Sequence, residues 1–252
     1  MNLLLISNST NFGEPYLAWA INQIEYFCEK VGVHSGSKII FIPFAGVNIA
    51  GQAYPASYDA YANRVKGVFQ KLGFTDFNSI HRFDNKIEAI NQAECIIVGG
   101  GNTFHLVAEL HTHALMDVIH QRAKAGIPYI GWSAGSNIAC PTLCTTNDMP
   151  IVQPKSFKAL NLIPFQINPH YLDPHPEIDK MIKHGGETRQ DRLNEYLAVN
   201  QDKKVVGLRE ATSLWIIGNK MMLKGGKKML VFEYNKDMVE IEPGTDVSYL
   251  LN

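Results

Sequence analysis

Residues 131–135 read GWSAG and place Ser133 between two glycines. A serine in the pattern G-x-S-x-G can be a nucleophile, because the glycines permit a sharp turn that projects the hydroxyl above a sheet. The same pattern also occurs in plain glycine turns. Here an apolar stretch at 127–130 precedes it and a helical pattern at 134–139 follows it. This strand, turn and helix context favours the nucleophile, and the dipole of the helix would favour an oxyanion nearby.

A nucleophilic serine needs a base to take its proton. No histidine follows His184, so a base downstream of Ser133 is His170, His175 or His184. His170 comes at the end of a short apolar strand, FQIN, and strand ends are where catalytic side chains gather in open α/β sheets. The other two histidines lie in a stretch rich in Pro and Gly and are expected at the surface.

Two carboxylates can complete the triad. Glu210 follows the apolar strand VVGL, and Asp148 lies in the loop TTNDMPIV. Triads occur in several chain orders, so the order of these residues does not choose between them.

Three consecutive glycines, Gly99 to Gly101, follow the apolar strand ECIIV. They match neither a dinucleotide fingerprint nor a phosphate-binding loop, since Phe104 stands where the last glycine of the fingerprint belongs. They can instead direct a backbone N–H toward the serine turn, where it would form an oxyanion hole with the N–H of Ala134. One such donor is typically worth about 2.7 to 4 kcal/mol in the transition state.

A metal site is the competing interpretation of the segment after the predicted base. His170, Asp173, His175 and Glu177 are all possible ligands of a divalent cation. The intervening prolines prevent the helical geometry of an H-E-x-x-H site, and surface loops often carry such residues. We therefore predict no metal site in this segment.

Apolar strands alternate with segments of helical period along the first 140 residues, which predicts a mostly parallel sheet with helices on both faces. The predicted helical segments are 16–31, 57–72, 103–125 and 134–139. After residue 203 the pattern changes to strands joined by turns at 218–219 and 225–226. These strands predict an antiparallel hairpin or meander that extends the same sheet. The stretch 141–186 is expected to be mostly a long loop, and the whole chain, 1–252, a single catalytic domain.

Composition excludes several classes of partner. The formal net charge is −1 and no long run of Lys or Arg occurs, so we expect no nucleic-acid partner. No apolar run approaches the roughly 18 residues that a membrane span needs. The N-terminal apolar run lacks the flanks of a signal peptide and is predicted to be a strand. Four scattered cysteines suit reduced thiols, and we expect a cytoplasmic protein.

Six stretches of the chain, read together, strongly resemble the peptidase E (aspartyl dipeptidase) family. They occur in the family's order and are FIPFAG (41–46), IIVGGGNTFHL (96–106), YIGWSAGSN (129–137), TTNDMPIV (145–152), QINPH (166–170) and GETR (186–189). The family groups serine peptidases related to cyanophycinases. The resemblance implies a fold like that of class I glutamine amidotransferases, and cleavage of dipeptides with an N-terminal aspartate without metal or cofactor.

The resemblance also implies roles for individual residues. Ser133 would be the nucleophile, His170 the base and Glu210 the third member of the triad. The oxyanion hole would be formed by Gly100 and Ala134. Arg189 would pair with the aspartyl side chain, since a guanidinium fork suits a carboxylate, and Asp148 would hold the α-amino group. The expected partner is a small peptide substrate, and the expected assembly is a monomer or a small homo-oligomer.

Two other functions compete with the dipeptidase. The first is an α/β-hydrolase esterase that uses Ser133, Asp148 and His170, although no HGGG-type segment precedes the serine. The second is a binding protein with an inactive site on the same scaffold. The presence of all the proposed polar residues together argues against the second.

Overall fold

The computed structural model describes residues 1–49, 51–174 and 187–252. Its main sheet has seven strands, of which five run parallel to one another. The parallel strands are β1 (Asn2–Ile6), β2 (Ile39–Ile42), β5 (Phe77–Ser79), β6 (Cys95–Val98) and β7 (Tyr129–Trp132). Two antiparallel strands, β10 (Thr212–Ile217) and β11 (Lys220–Gly225), extend the sheet, and the order is β11-β10-β1-β7-β6-β2-β5.

Helices cover both faces of the main sheet. The residues of β1 alternate between these faces, with Leu4 and Ile6 in one apolar cluster and Leu3 and Leu5 in the other. Helices α1 (Ile21–Lys30) and α2 (Ser57–Lys71) pack on the first face. The second face is covered by α3 (Lys86–Asn91), α4 (Thr103–Thr112), α5 (Met116–Lys124) and the short α6 (Ala134–Asn137). Burial on both faces explains why the parallel strands are almost entirely apolar.

A second sheet of four strands stands beside the first. Its strands are β8 (Gln166–Tyr171), β9 (Lys204–Arg209), β12 (Met229–Glu233) and β13 (Val239–Ile241), in the order β13-β12-β9-β8. Helix α7 (Arg189–Val199) packs Leu193 and Leu197 against this sheet. A small hairpin pairs β3 (Asn48–Ile49) with β4 (Gln52–Ala53).

The predicted fold class, a mostly parallel sheet flanked by helices with antiparallel strands toward the C-terminus, is confirmed. The prediction that all the late strands extend one sheet is wrong. Only β10 and β11 do so; β9, β12 and β13 join β8 in the second sheet. Local patterns identify strands, whereas pairing partners depend on packing between distant segments, which explains the error.

Several predicted boundaries also move. The segment 103–125 forms two helices, because Ala114 has a φ of +54° and cannot continue α4. The helix expected from residue 16 begins at Ile21, after a 3-10 turn at Ala18–Ala20. The strand expected at 127–130 lies at Tyr129–Trp132, whereas the predicted N-terminal strand is confirmed as β1.

None of the helices in the described ranges combines the length and the apolar character that crossing a bilayer requires. The single catalytic domain over 1–252 stays a prediction.

Candidate active site

Ser133 occupies a sharp turn between β7 and α6. Its φ of +53° and ψ of −114° are uncommon for a residue other than glycine, and such conformations cost of order 1 to 3 kcal/mol. The surrounding backbone holds it in place. Its N–H donates to the carbonyl of Ile6 (3.0 Å), and its carbonyl accepts from the N–H of Asn137 (2.9 Å). The turn places the half-buried Ser133 side chain in the wall of a cavity.

Glycine is required at two positions because neighbouring atoms leave no space for a side chain, and not because the backbone there must be flexible. A Cβ atom at Gly135 would lie 2.2 Å from the carbonyl oxygen of Val98, and one at Gly100 would lie 2.8 Å from the Cβ of Ser133. The chain therefore packs backbone directly against the serine turn, which accounts for the glycines on both the elbow and the neighbouring loop.

His170 lies at an irregularity of β8, where the register with β9 shifts between Pro169 and Tyr171, and its φ is +52°. Bulges of this kind re-aim side chains next to active sites. Its Nδ1 is 2.8 Å from Oε1 of Glu210, the residue that directly follows β9. A carboxylate only accepts hydrogen bonds, so Nδ1 is the donor of this bond, and in the neutral imidazole Nε2 is then an acceptor.

Ser133 and His170 are the predicted nucleophile and the predicted base. Among the described residues, no hydrogen bond joins the Ser133 hydroxyl to His170, although both line the same cavity. Catalytic hydrogen bonds are often long in substrate-free enzymes and tighten in the Michaelis complex.

Asp148 is held in place by hydrogen bonds from two threonines. Its Oδ2 accepts hydrogen bonds from the N–H and the hydroxyl of Thr103 (2.7 and 2.6 Å) and from the hydroxyl of Thr146 (3.1 Å). These bonds fix the carboxylate in the cavity wall. Asp148 is therefore bonded to threonines, whereas His170 is bonded to Glu210.

Arg189 is the first residue of α7, which is capped by a reciprocal pair of hydrogen bonds between Thr188 and Asp191. Burial, together with the positive charge of Arg192, lowers the pKa of Arg189. The ordinary pKa of a guanidinium is above 12, so the group remains charged at neutral pH. In the part of the chain that the structure describes, Arg189 forms no ion pair with a carboxylate.

The cavity has a volume of about 660 Å³. It is lined by all seven residues to which the family resemblance assigns a role, namely Gly100, Ser133, Ala134, Asp148, His170, Arg189 and Glu210. Ligand sites typically enclose about 300 to 1,000 Å³, so the space suits a small molecule such as a dipeptide.

The sequence analysis missed one wall of this cavity, formed by Tyr16, Tyr61 and Arg64. The hydroxyl of Tyr61 accepts hydrogen bonds from the Tyr16 hydroxyl and from Nε1 of Trp132, each at 3.0 Å. Burial raises the pKa of Tyr61 to about 12, and it raises that of Tyr16 as well, so both hydroxyls stay protonated near neutral pH. No sequence signal marks these residues, because aromatic residues at helical spacing are indistinguishable from core residues.

The two N–H groups expected to form the oxyanion hole, those of Gly100 and Ala134, differ in their surroundings. Within the described residues, neither Gly100 nor Ala134 donates its N–H to a backbone carbonyl. The Gly100 N–H lies beside the hydroxyl of Tyr61, a contact that offsets part of the effect of burial on the Tyr61 pKa.

The alternative metal constellation is only partly described. His175 and Glu177 lie outside the described residues, and Asp173 is bonded to Arg209 through both carboxylate oxygens (2.6 and 2.7 Å). Across residues 1–49, 51–174 and 187–252, no group of three His, Cys, Asp or Glu side chains could hold a metal ion.

Known proteins resemble the chain throughout its length. Residues 3–224 match the model of Peptidase family S51. A protein named peptidase E from Nostoc sp. is 45% identical over 99% of this chain and 96% of its own length. Peptidase E from Streptomyces coelicolor is 40% identical over 100% of this chain and 96% of its own length. Peptidase E from Shewanella baltica is 41% identical over 100% of this chain and 98% of its own length.

Solved structures share the fold at lower identity. A protein from Listeria monocytogenes superposes with a TM-score of 0.61 at 23% identity and covers 90% of this chain and 98% of its own. A peptidase from an acI-B1 actinobacterium has a TM-score of 0.67 at 18% identity and covers 98% of this chain and 96% of its own. Both agree with the fold expected of class I glutamine amidotransferase-like proteins. The chain therefore belongs to peptidase family S51 and is a serine peptidase.

Proposed function

We propose that this peptidase hydrolyses dipeptides with an N-terminal aspartate (Asp-Xaa) through Ser133, His170 and Glu210. The observation that carries the proposal is the 2.8 Å bond between His170 Nδ1 and Glu210 Oε1, in a cavity shared with the Ser133 elbow. The bond leaves Nε2 unprotonated and available as the base.

The reaction follows from these positions. His170 Nε2 takes the proton of the Ser133 hydroxyl while the oxygen attacks the carbonyl of the aspartyl residue. The N–H groups of Gly100 and Ala134 stabilise the oxyanion of the tetrahedral intermediate. The imidazolium then protonates the leaving amine, the peptide bond breaks, and an acyl-enzyme remains on Ser133. His170 next takes a proton from water as the water oxygen attacks the ester, and the imidazolium then returns that proton to the Ser133 oxygen as the ester bond breaks and aspartate is released.

Specificity is assigned to two charged side chains of opposite sign. Arg189 has no carboxylate partner among the described residues and lines the cavity, so its guanidinium can bind the aspartyl carboxylate in bidentate fashion. Asp148, fixed by Thr103 and Thr146, can hold the α-ammonium group of the substrate. The two contacts together would select an N-terminal aspartate.

The test measures aspartate release from Asp-Leu by purified, chelator-treated protein. Ser133→Ala should lower kcat by several orders of magnitude, about 10⁶-fold in a comparable triad, without lowering the Tm. Comparable turnover by this variant would rule out the assigned nucleophile. Cleavage of simple esters but not of Asp-Leu would support the esterase, and tight retention of uncleaved Asp-Leu by wild type would support a binding protein.

The specificity assignment has its own matched pair of variants. Arg189→Lys keeps the charge but loses the fork, and we expect KM for Asp-Leu to rise about 10- to 100-fold, the equivalent of one to two charge-assisted hydrogen bonds. Arg192→Lys, one turn further along α7 and exposed, should change KM little. Equal effects of the two substitutions would contradict the role of Arg189.

A further inference from the structure

Two polar residues directly after β1, Ser7 and Asn8, are completely buried at 0% exposure. The Ser7 hydroxyl accepts a hydrogen bond from the backbone N–H of His170 (3.0 Å) and donates one to the carbonyl of Leu208 (2.7 Å). Leu208 lies in β9, two residues before Glu210. One hydroxyl thus connects the strand that carries the base to the strand that leads to the acid.

Asn8 holds Ala211, the residue that follows the proposed acid Glu210. Its Oδ1 accepts a hydrogen bond from the N–H of Ala211 (2.8 Å). Its Nδ2 donates to the carbonyl of Thr10 (3.0 Å) and to the side chain of Asn11 (2.9 Å), so the amide is fixed in one orientation. Ala211 directly follows Glu210 and has a φ of +63°.

We propose that Ser7 and Asn8 are positioning residues for the His170–Glu210 pair, an inference that rests on the proposed function. Both His170 and Ala211 have a left-handed backbone conformation, which is unfavourable unless surrounding contacts enforce it. Ser7 and Asn8 supply those contacts. The preceding residue, Ile6, accepts the N–H of Ser133, so the end of β1 contacts the backbone beside each member of the triad.

We expect the loss of Ser7 or Asn8 to lower the rate by changing the geometry of the His170–Glu210 pair. Without Ser7 or Asn8, the backbone beside His170 or Glu210 can relax, and a displacement of about 1 Å can cost about 100-fold in rate. We expect Ser7→Ala and Asn8→Ala each to lower kcat for Asp-Leu about 10- to 100-fold, with KM nearly unchanged, because neither residue lines the cavity.

Ser37→Ala is the matched control. Ser37 is 2% exposed, and its hydroxyl also accepts a backbone N–H, that of His34 (3.1 Å), but it does not line the cavity. Its substitution should remove a comparable buried hydrogen bond and leave kcat unchanged. If Ser7→Ala does not fold, Ser7→Cys preserves the volume while weakening the acceptor, and it should give an intermediate loss of kcat.

A double-mutant cycle separates positioning from general destabilisation. In a Glu210→Gln background the bond between His170 and a carboxylate no longer exists. Ser7→Ala should therefore lower kcat less than about 3-fold in that background. An unchanged kcat in Ser7→Ala, or an equal loss in both backgrounds, would overturn the proposal.

A spectroscopic measurement tests the inference without substrate. The proton on His170 Nδ1 should give a downfield proton NMR signal because it is bonded to a carboxylate. The signal should broaden or disappear in Ser7→Ala and persist in Ser37→Ala. If wild type does not cleave Asp-Leu but shows this behaviour, the proposed function fails and the positioning role stands. If wild type cleaves Asp-Leu and the signal and kcat are unaffected in Ser7→Ala, only the positioning role fails.

Discussion

Ser133 and His170 share an unusual backbone conformation, with φ angles of +53° and +52°. Neither residue has the conformational freedom of glycine, so both positions are strained and must be enforced by their surroundings. For each of them, the backbone N–H donates to a group at the end of β1. The side chains proposed as nucleophile and base therefore project from backbone that the fold itself holds in place, and such preorganisation favours acyl transfer.

Glu210→Gln tests the orientation of the base. The amide can present its NH₂ to Nδ1 and favour the tautomer with the proton on Nε2, which cannot accept the serine proton. In a comparable triad this kind of change lowers kcat about 10⁴-fold, and we expect a loss of at least 10³-fold with Asp-Leu. Glu233→Gln, which breaks a bond of similar length to Lys236 away from the cavity, is the control. A loss of less than 10-fold in Glu210→Gln would exclude Glu210 from the proposed triad.

Among individual residues, the sequence identifies those whose neighbours in the chain form a recognisable pattern. Ser133 stands in a five-residue pattern, and His170 and Glu210 each follow an apolar strand. Tyr61 has no such local context, and Ser7 follows an apolar strand but belongs to no motif. Their roles depend on α2 and β1 lying beside the elbow, which is a property of the folded chain and not of any short stretch.

The elements that build the site meet at the carboxyl ends of parallel strands. The elbow follows β7, the glycine loop follows β6, and Ser7 follows β1, all of which end at the same edge of the sheet. The alternation of apolar strands and helical segments was enough to predict this arrangement. It did not predict that His170 and Glu210 come from a different sheet, because the pairing of β8 with β9 joins segments about 40 residues apart.

The contact between the elbow and β6 is testable through stability. Gly135→Ala would bring a methyl group against the carbonyl of Val98, and overpacking of this kind costs about 1 to 3 kcal/mol. Urea unfolding should show a lower midpoint with an unchanged m value. Gly67→Ala is the matched control. Gly67 lies within α2 with no atom within 4 Å of an added Cβ, so we expect a stabilisation of about 0.5 to 1 kcal/mol. A midpoint shift of the same sign in both variants would contradict this packing argument.

At the scale of the whole molecule, ion pairs between charged side chains connect the strands of the second sheet beside the cavity. Arg209 at the end of β9 bonds to Asp173, just after β8, and to Glu240 in β13. These contacts connect three strands whose partners are distant in sequence. They also lie next to Glu210, so the same network supports the end of the strand that carries the proposed acid.

This network should weaken in acid. Hydrogen bonding to Arg209 lowers the pKa of Asp173 below its ordinary value of 3.8. A carboxyl with a lowered pKa in the folded state adds stability that is fully present above the unfolded value and is lost as the pH falls through the folded value. Wild type should therefore exceed Asp173→Asn in urea midpoint at pH 7, and the difference should shrink below about pH 4.

The control for this pH dependence is Asp84→Asn, at an exposed carboxylate outside the network. It should change the midpoint little at either pH. A difference between wild type and Asp173→Asn that stays constant from pH 7 to pH 3 would show that the Arg209 contact does not contribute through the charge of Asp173.

The central place of β1 has a consequence for how the protein is made. On the ribosome, residues 2–6 emerge well before their partners in β7 and β10, which follow more than 120 and 200 residues later, as in the pairing of Leu5 with Leu214. The sheet cannot close around β1 until β10 has left the exit tunnel. Because Ser7 and Asn8 contact His170 and Ala211 only after this closure, a nascent chain has no assembled cavity. A nascent chain that does not yet include β10 therefore lacks the proposed active site.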